Sequence, residues 1–156
     1  MAYYVVILGP RENPVYEAVL RGSKSEGKAV EEGHARTSVF GRDGEVGYGP
    51  QRSMHVMQMV AHAALDVVEE LQWTSPHMYL KNIDRFHEWA VSCWVTPGRT
   101  RILLVHDSRN DEAHRLFLHD VWDAYVRILV SPLYDPDSQL GPAFDARVRA
   151  SARKLL

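Results

Sequence analysis

The chain reads as an α+β domain built on a largely antiparallel sheet. Two β-branched and aromatic runs open it around a turn marked by Gly9-Pro10 and Asn13-Pro14. Three more such runs follow one another closely between Tyr79 and His106, and amphipathic helical patterns separate and follow these groups. The resulting order is strand, strand, helix, three strands, helix, helix. A hairpin and a meander are the connections that produce antiparallel pairing, with the helices left to cover the sheet.

Residues 3–8 and 15–20 form the opening strands. Between Arg21 and Arg52 the character changes: seven of the ten glycines lie here, six basic residues mix with five acidic ones, and Phe40 and Tyr48 are the only aromatics. Such a segment brings little to a core and predicts a long flexible insertion at about 21–52. A helix follows, with Ser53 as its N-cap, and ends at Thr74-Ser75-Pro76. Met57, Val60, Ala61, Ala64, Leu65, Val68 and Leu71 fall on one face of it at helical spacing.

Strands are then expected at 79–85, 88–96 and 101–106, with Pro97-Gly98 turning the second into the third. In the middle strand Trp89, Val91, Cys93 and Val95 alternate with Ala90, Ser92 and Trp94, so both of its faces are covered. Residues 111–130 form a second helix with a core stripe of Ala113, Phe117, Val121, Ala124 and Ile128. Leu118, Trp122 and Leu129 widen its apolar surface beyond one stripe, an excess that suits either a second packing helix or a second partner surface. Pro132, Pro136 and Pro142 impose an extended loop, and a last helix from about Ala143 buries Phe144 and Val148. Its Arg147, Arg149, Arg153 and Lys154 lie towards the end where the helix dipole favours cations.

At 156 residues, 46% hydrophobic and 24% charged, the chain has the size and composition of one soluble globular domain spanning 1–156. A net charge of −2 argues against nucleic acid as the main partner. The single cysteine, Cys93, permits no internal disulfide and fits a reducing compartment. The N-terminus has no signal-peptide pattern, and no run approaches a membrane span.

Motifs for chemistry fail on inspection. Gly22-Ser-Lys-Ser-Glu-Gly27-Lys28-Ala29 matches a phosphate loop except at its last position, where Ala29 removes the Mg²⁺-binding hydroxyl. His62 and Asp66 share a helix face at metal-ligand spacing, yet nothing completes the set. His114 and His119, five apart, do not share a face well. His106-Asp107 ends a strand without an accompanying nucleophile, and Cys93 in an apolar strand is the pattern of a small core residue. No catalytic, cofactor or metal site is expected.

What remains is the outer ridge of the first helix. Asp66 points away from the apolar face, flanked by His55, Met59, His62 and Glu70, with Trp73 at the end. An exposed Met and a nearby Trp are unusual company for a merely solvated carboxylate, so this ridge is where function is sought first.

The runs HAALDVVEELQW, MYLK, DRFHEWAVSCWVTPG, RILLVHD and PLYDPDSQLGPAFDARV, with Asn13-Pro14 in the first turn, carry a resemblance. In this order they resemble the sedlin family, small longin-like subunits of the TRAPP vesicle-tethering complex. The resemblance covers almost everything from His62 to Val148, and the opening strands more weakly. It implies a longin-like (profilin-like) fold, a five-stranded antiparallel sheet with one helix on one face and two on the other. It also implies a non-catalytic adaptor that links a Rab-exchange core to complex-specific subunits in transport from endoplasmic reticulum to Golgi.

The partners so implied are a core neighbour and complex-specific large subunits, with a Rab GTPase reached only indirectly. The location is cytoplasmic, and peripheral at endoplasmic reticulum–Golgi membranes through the complex. Asp66 stands at the family's HAALD aspartate, a position linked to partner binding. The 21–52 insertion is longer than the usual sedlin pattern. Two alternatives have their own signatures. A SNARE regulatory or coat-adaptor longin domain keeps the fold, but the heptad segment and anchor that follow a SNARE longin domain are not seen before Leu156. A small enzyme would use Cys93 or a histidine pair.

Overall fold

The computed structural model describes residues 2–21 and 50–156, with side chains from Met54 onward in the second span. The strands are β1 (Ala2–Leu8), β2 (Pro14–Arg21), β3 (Tyr79–Phe86), β4 (Trp89–Val95) and β5 (Arg101–His106). The helices are α1 (Pro50–Thr74), α2 (Asp111–Leu129) and α3 (Pro142–Leu155). All five strands pair antiparallel in the order β2-β1-β5-β4-β3. This is the longin-like α+β architecture expected.

Alternation along the strands sorts the core into two layers. Tyr4, Val6 and Leu8 of β1, Val91 and Cys93 of β4, and Leu103 and Val105 of β5 pack against α1. Tyr3, Val5 and Ile7, with Trp94, Ile102 and Leu104, pack against α2 and α3. Strand β5 is central and buried along its whole length, which is why it reads as an unbroken apolar run, Ile102 to Val105.

One edge is β3. It carries exposed Lys81 and Arg85, and its pairing with β4 is interrupted between Leu80 and Asp84. There Asn82 takes a left-handed φ of 43° and donates its N–H to Ser92 Oγ. Charges and a bulge of this kind disfavour pairing with another chain. The other edge, β2, is partly capped where the Leu140 N–H donates to the Val15 carbonyl.

Several boundaries differ from expectation. Helix α1 starts at Pro50, so Ser53 lies inside the helix and is not the residue that precedes it; proline at a first helical position is favoured because its missing N–H would have no partner there. The insertion expected at about 21–52 loses both ends, since Arg21 closes β2 and residues 50–52 belong to α1. Its remainder, 22–49, and with it the phosphate-loop near-match, lies outside the described residues. The β4–β5 connection is longer than a Pro97-Gly98 turn: Thr96 accepts from the Arg99 N–H, and Arg99 itself adopts φ 63°. A turn followed by a left-handed residue is the usual three-residue hairpin loop.

On α2 the buried side chains are His114, Phe117, Leu118, Val121, Ala124 and Tyr125. The stripe is thus rotated from the one expected, and Leu118 is fully buried in the core. It therefore cannot form part of a partner surface. Trp122 and Leu129 are half-buried against the same core. The helix needs the wider apolar face because α2 packs on both the sheet and α3.

Candidate docking surface

Helix α1 is 25 residues long, about 37 Å at the standard rise. Its inner face buries Met57, Val60, Ala61, Ala64 and Val68. The same periodicity puts the ridge in one line: Met59 and Trp73 stand seven residues on either side of Asp66, with His62 and Glu70 four on either side. All five are exposed, Met59 at 71% and Trp73 at 85%. None of the five makes a hydrogen bond or ion pair among the described residues. The structure thus places these five residues in one stripe, about 21 Å from Met59 to Trp73, with His55 a turn before it and bonded to Gln58.

Contacts on the flanks hold this stripe rigidly. Near the start, Gln58 Nε2 donates to Glu17 Oε2 at 2.9 Å, and the Tyr4 hydroxyl donates to the same oxygen at 3.0 Å. Towards the end, Arg101 reaches from β5 with a side chain only 9% exposed. It pairs with Glu69 at 3.3 Å and with Glu12 of the β1–β2 turn at 3.0 Å. One buried guanidinium therefore ties helix, central strand and hairpin turn together. Beyond it, the end of α1 and the β4–β5 loop enclose an open groove of about 470 Å³, lined by Trp73, Pro76, Met78, Pro97 and Arg99 among others.

The histidines and the thiol lie elsewhere. His106 Nδ1–H donates to the Ser108 carbonyl at 2.9 Å, which leaves Nε2 to accept from the Ser92 hydroxyl at 3.0 Å. Ser108 Oγ meets His114 Nε2 at 2.7 Å. Burial lowers the His106 pKa, and burial together with neighbouring His106 lowers that of His114 to about 4. A serine does accompany His106, which sequence spacing alone did not show. Ser92 is fully buried, however, so this is a hydrogen-bonded brace between β4, β5 and α2 with no substrate access to its hydroxyl.

Cys93 is likewise closed in the core, and burial pushes its thiol up to about 12. Among the described residues no group of three or more His, Cys, Asp or Glu side chains is placed to hold a metal, and no helix is long and apolar enough to cross a membrane. Sequence reasoning also missed a patch after α2, where Leu133 is 95% and Val130 76% exposed. Beside Pro132, Leu133 had read only as part of a loop, and Val130 only as the end of the second helix.

An α+β fold with a closed core on each face of its sheet, and a helix ridge bearing unpaired charge between exposed apolar side chains, define a small longin-like domain. The family model described as Sedlin matches residues 7–154, and the chain belongs to that family. Among its relatives, the transport protein particle 20 kDa subunit of Schizosaccharomyces pombe is 33% identical, with both chains fully covered. The probable trafficking protein particle complex subunit 2 of Drosophila melanogaster is 32% identical over 99% of this chain and 96% of its own. The trafficking protein particle complex subunit 20 of Saccharomyces cerevisiae is 25% identical over 100% and 99%.

Proposed function

We propose that this chain is a non-catalytic adaptor subunit of a trafficking protein particle (TRAPP) complex. In this reading it acts in vesicle transport from endoplasmic reticulum to Golgi and joins the Rab-exchange core to complex-specific subunits, reaching membranes peripherally through the assembly. The names of its full-length relatives support membership of such a particle. The observation that carries the docking role is the α1 stripe: an unpaired carboxylate, Asp66, with large exposed apolar side chains one heptad before and after it. Interfaces draw their energy from a few such anchors, and a charge between them selects the partner.

The test is capture of the particle from cell lysate by tagged wild-type chain and by Asp66→Lys, with mass spectrometry of what is bound. Other particle subunits should be recovered by the wild type. Those that dock on the ridge should be lost with Asp66→Lys while its melting temperature stays the same, because exposed substitutions change stability by under about 0.5 kcal/mol. Recovery of no particle subunits by the wild type would sink the assignment. Unfolding of Asp66→Lys would make the carboxylate structural.

A further inference from the structure

We infer that the partner seated on this ridge inserts an arginine between Trp73 and Glu70. The inference rests on the docking role proposed above and names the chemistry of its contact. Helix α1 has no basic residue in its last turn, whereas α2 has Arg127 and α3 has Arg153 and Lys154. The negative end of its dipole is thus uncompensated from within the helix, and three carboxylates, Asp66, Glu69 and Glu70, lie in its last ten residues.

Of these acids only Glu69 is answered, by Arg101. Asp66 and Glu70 face solvent with no ion pair among the described residues, and no Lys or Arg shares the ridge between Met59 and Trp73. At the end of this field the Trp73 indole is almost fully exposed. Glu70 and Trp73 are three residues apart, which on a helix sets their Cβ atoms about 5–6 Å apart.

A carboxylate and an indole on neighbouring positions of one helix face suit a planar cation. Guanidinium can stack on the indole and pair with the carboxylate through its in-plane N–H groups, while a lysine ammonium, compact and strongly hydrated, does the first less well. The groove beyond Trp73, with Pro76, Met78 and Pro97 in its wall, offers apolar surface to the residues next to that arginine. Arg99 on its far lip has no ion pair among the described residues and repels a second cation there, so the basic end of the segment must lie towards Asp66.

The experiment measures binding of the purified chain to the trafficking particle isolated, through another subunit, from cells depleted of this chain, across a series of NaCl concentrations. Wild-type affinity should fall with salt. Glu70→Gln should bind about tenfold more weakly with a flatter salt dependence, as loss of a charge-assisted contact requires. Trp73→Leu should lose a similar factor although leucine is apolar, and Trp73→Phe, which keeps a π face, should lose less. Trp73→Leu binding like the wild type, or Glu70→Gln leaving both affinity and salt dependence unchanged, would overturn the arginine. Asp66→Lys separates the two levels. Wild-type binding by that variant removes the docking role itself; loss there, with Glu70→Gln and Trp73→Leu normal, removes the arginine alone.

Discussion

The rings of His106 and His114 lie with centroids 3.8 Å apart and planes tilted by 36°. Both are buried, and Ser108 joins them, accepting from one through its carbonyl and meeting the other through its hydroxyl. Two imidazoles this close cannot both carry charge cheaply, and the nearby Asp111 and Asp107 carboxylates, hydrogen-bonded to neither ring, only partly offset their burial. The pair is therefore built to be neutral.

Acid should unfold the protein through this pair first. The folded His114 pKa, about 4, lies below the ordinary histidine value of about 6.5. Between those values the unfolded chain binds more protons than the folded one, so stability is complete above pH 6.5 and falls as the pH drops towards 4. One group shifted that far accounts for roughly 3 kcal/mol. Asp111 and Asp145, held below the usual carboxylate range chiefly by hydrogen bonds from Lys81 and Arg149, add their loss at lower pH still. Urea midpoints from pH 7 to 4.5 should show the fall, and His114→Gln should flatten it. An unchanged slope in that variant would place the acid sensitivity elsewhere.

Leu118→Ala should destabilise the protein by about 3 kcal/mol, the usual cost of a cavity at a fully buried leucine. It should do so without altering ridge contacts in the fraction that stays folded. Chemical denaturation checks the first part, and binding measured well below the melting temperature checks the second. Loss of binding by well-folded Leu118→Ala would return that face of α2 to the docking surface.

The misplacement of Leu118 shows what the sequence could and could not convey. Periodicity alone placed the five strands, the three helices and the whole α1 ridge, because that helix lies on a single surface and has one clear apolar face. Helix α2 packs on the sheet and on α3 at once, so its buried arc is wider than one stripe, and apolar surplus in the sequence does not tell a packing helix from a partner. His114 was passed over for the same reason: a polar residue on a buried arc reads as surface unless its partners are known. Those partners, His106 and Ser108, lie at and just beyond the end of β5, with Ser92 of β4 bonded to His106 behind them, and no spacing rule joins them to α2. The Arg101 bridge was equally invisible, since Glu12 and Glu69 are 89 and 32 residues away along the chain.

That bridge is redundant in a measurable way. Either carboxylate alone still answers the buried guanidinium, so Glu12→Ala and Glu69→Ala should each cost about 1 kcal/mol or less, as partly exposed pairs do. The double variant leaves a nearly buried cation with no partner, for which about 3 kcal/mol is expected. A double-mutant cycle on unfolding free energies should therefore give a coupling of roughly 1 kcal/mol or more between residues that do not touch. Strict additivity would mean that solvent, and not these acids, satisfies Arg101.

Cys93 provides the check on whether thiol chemistry has any place here. It sits on β4 between β3 and β5, faces α1, and has no exposed surface. Burial raises its thiol to about 12, so at pH 8 almost none is thiolate, and the thiolate is the reactive form. Alkylation by iodoacetamide should then proceed only through opening of the sheet. Its rate should track global unfolding, rise with urea, and rise again in Leu118→Ala, which weakens the opposite layer of the same sheet. Cys93→Ala should leave partner binding intact while lowering stability modestly. Rapid labelling of the native protein, insensitive to urea, would instead demand an access route to the sulfur, and with it a nucleophile that the packing of β4 under α1 excludes.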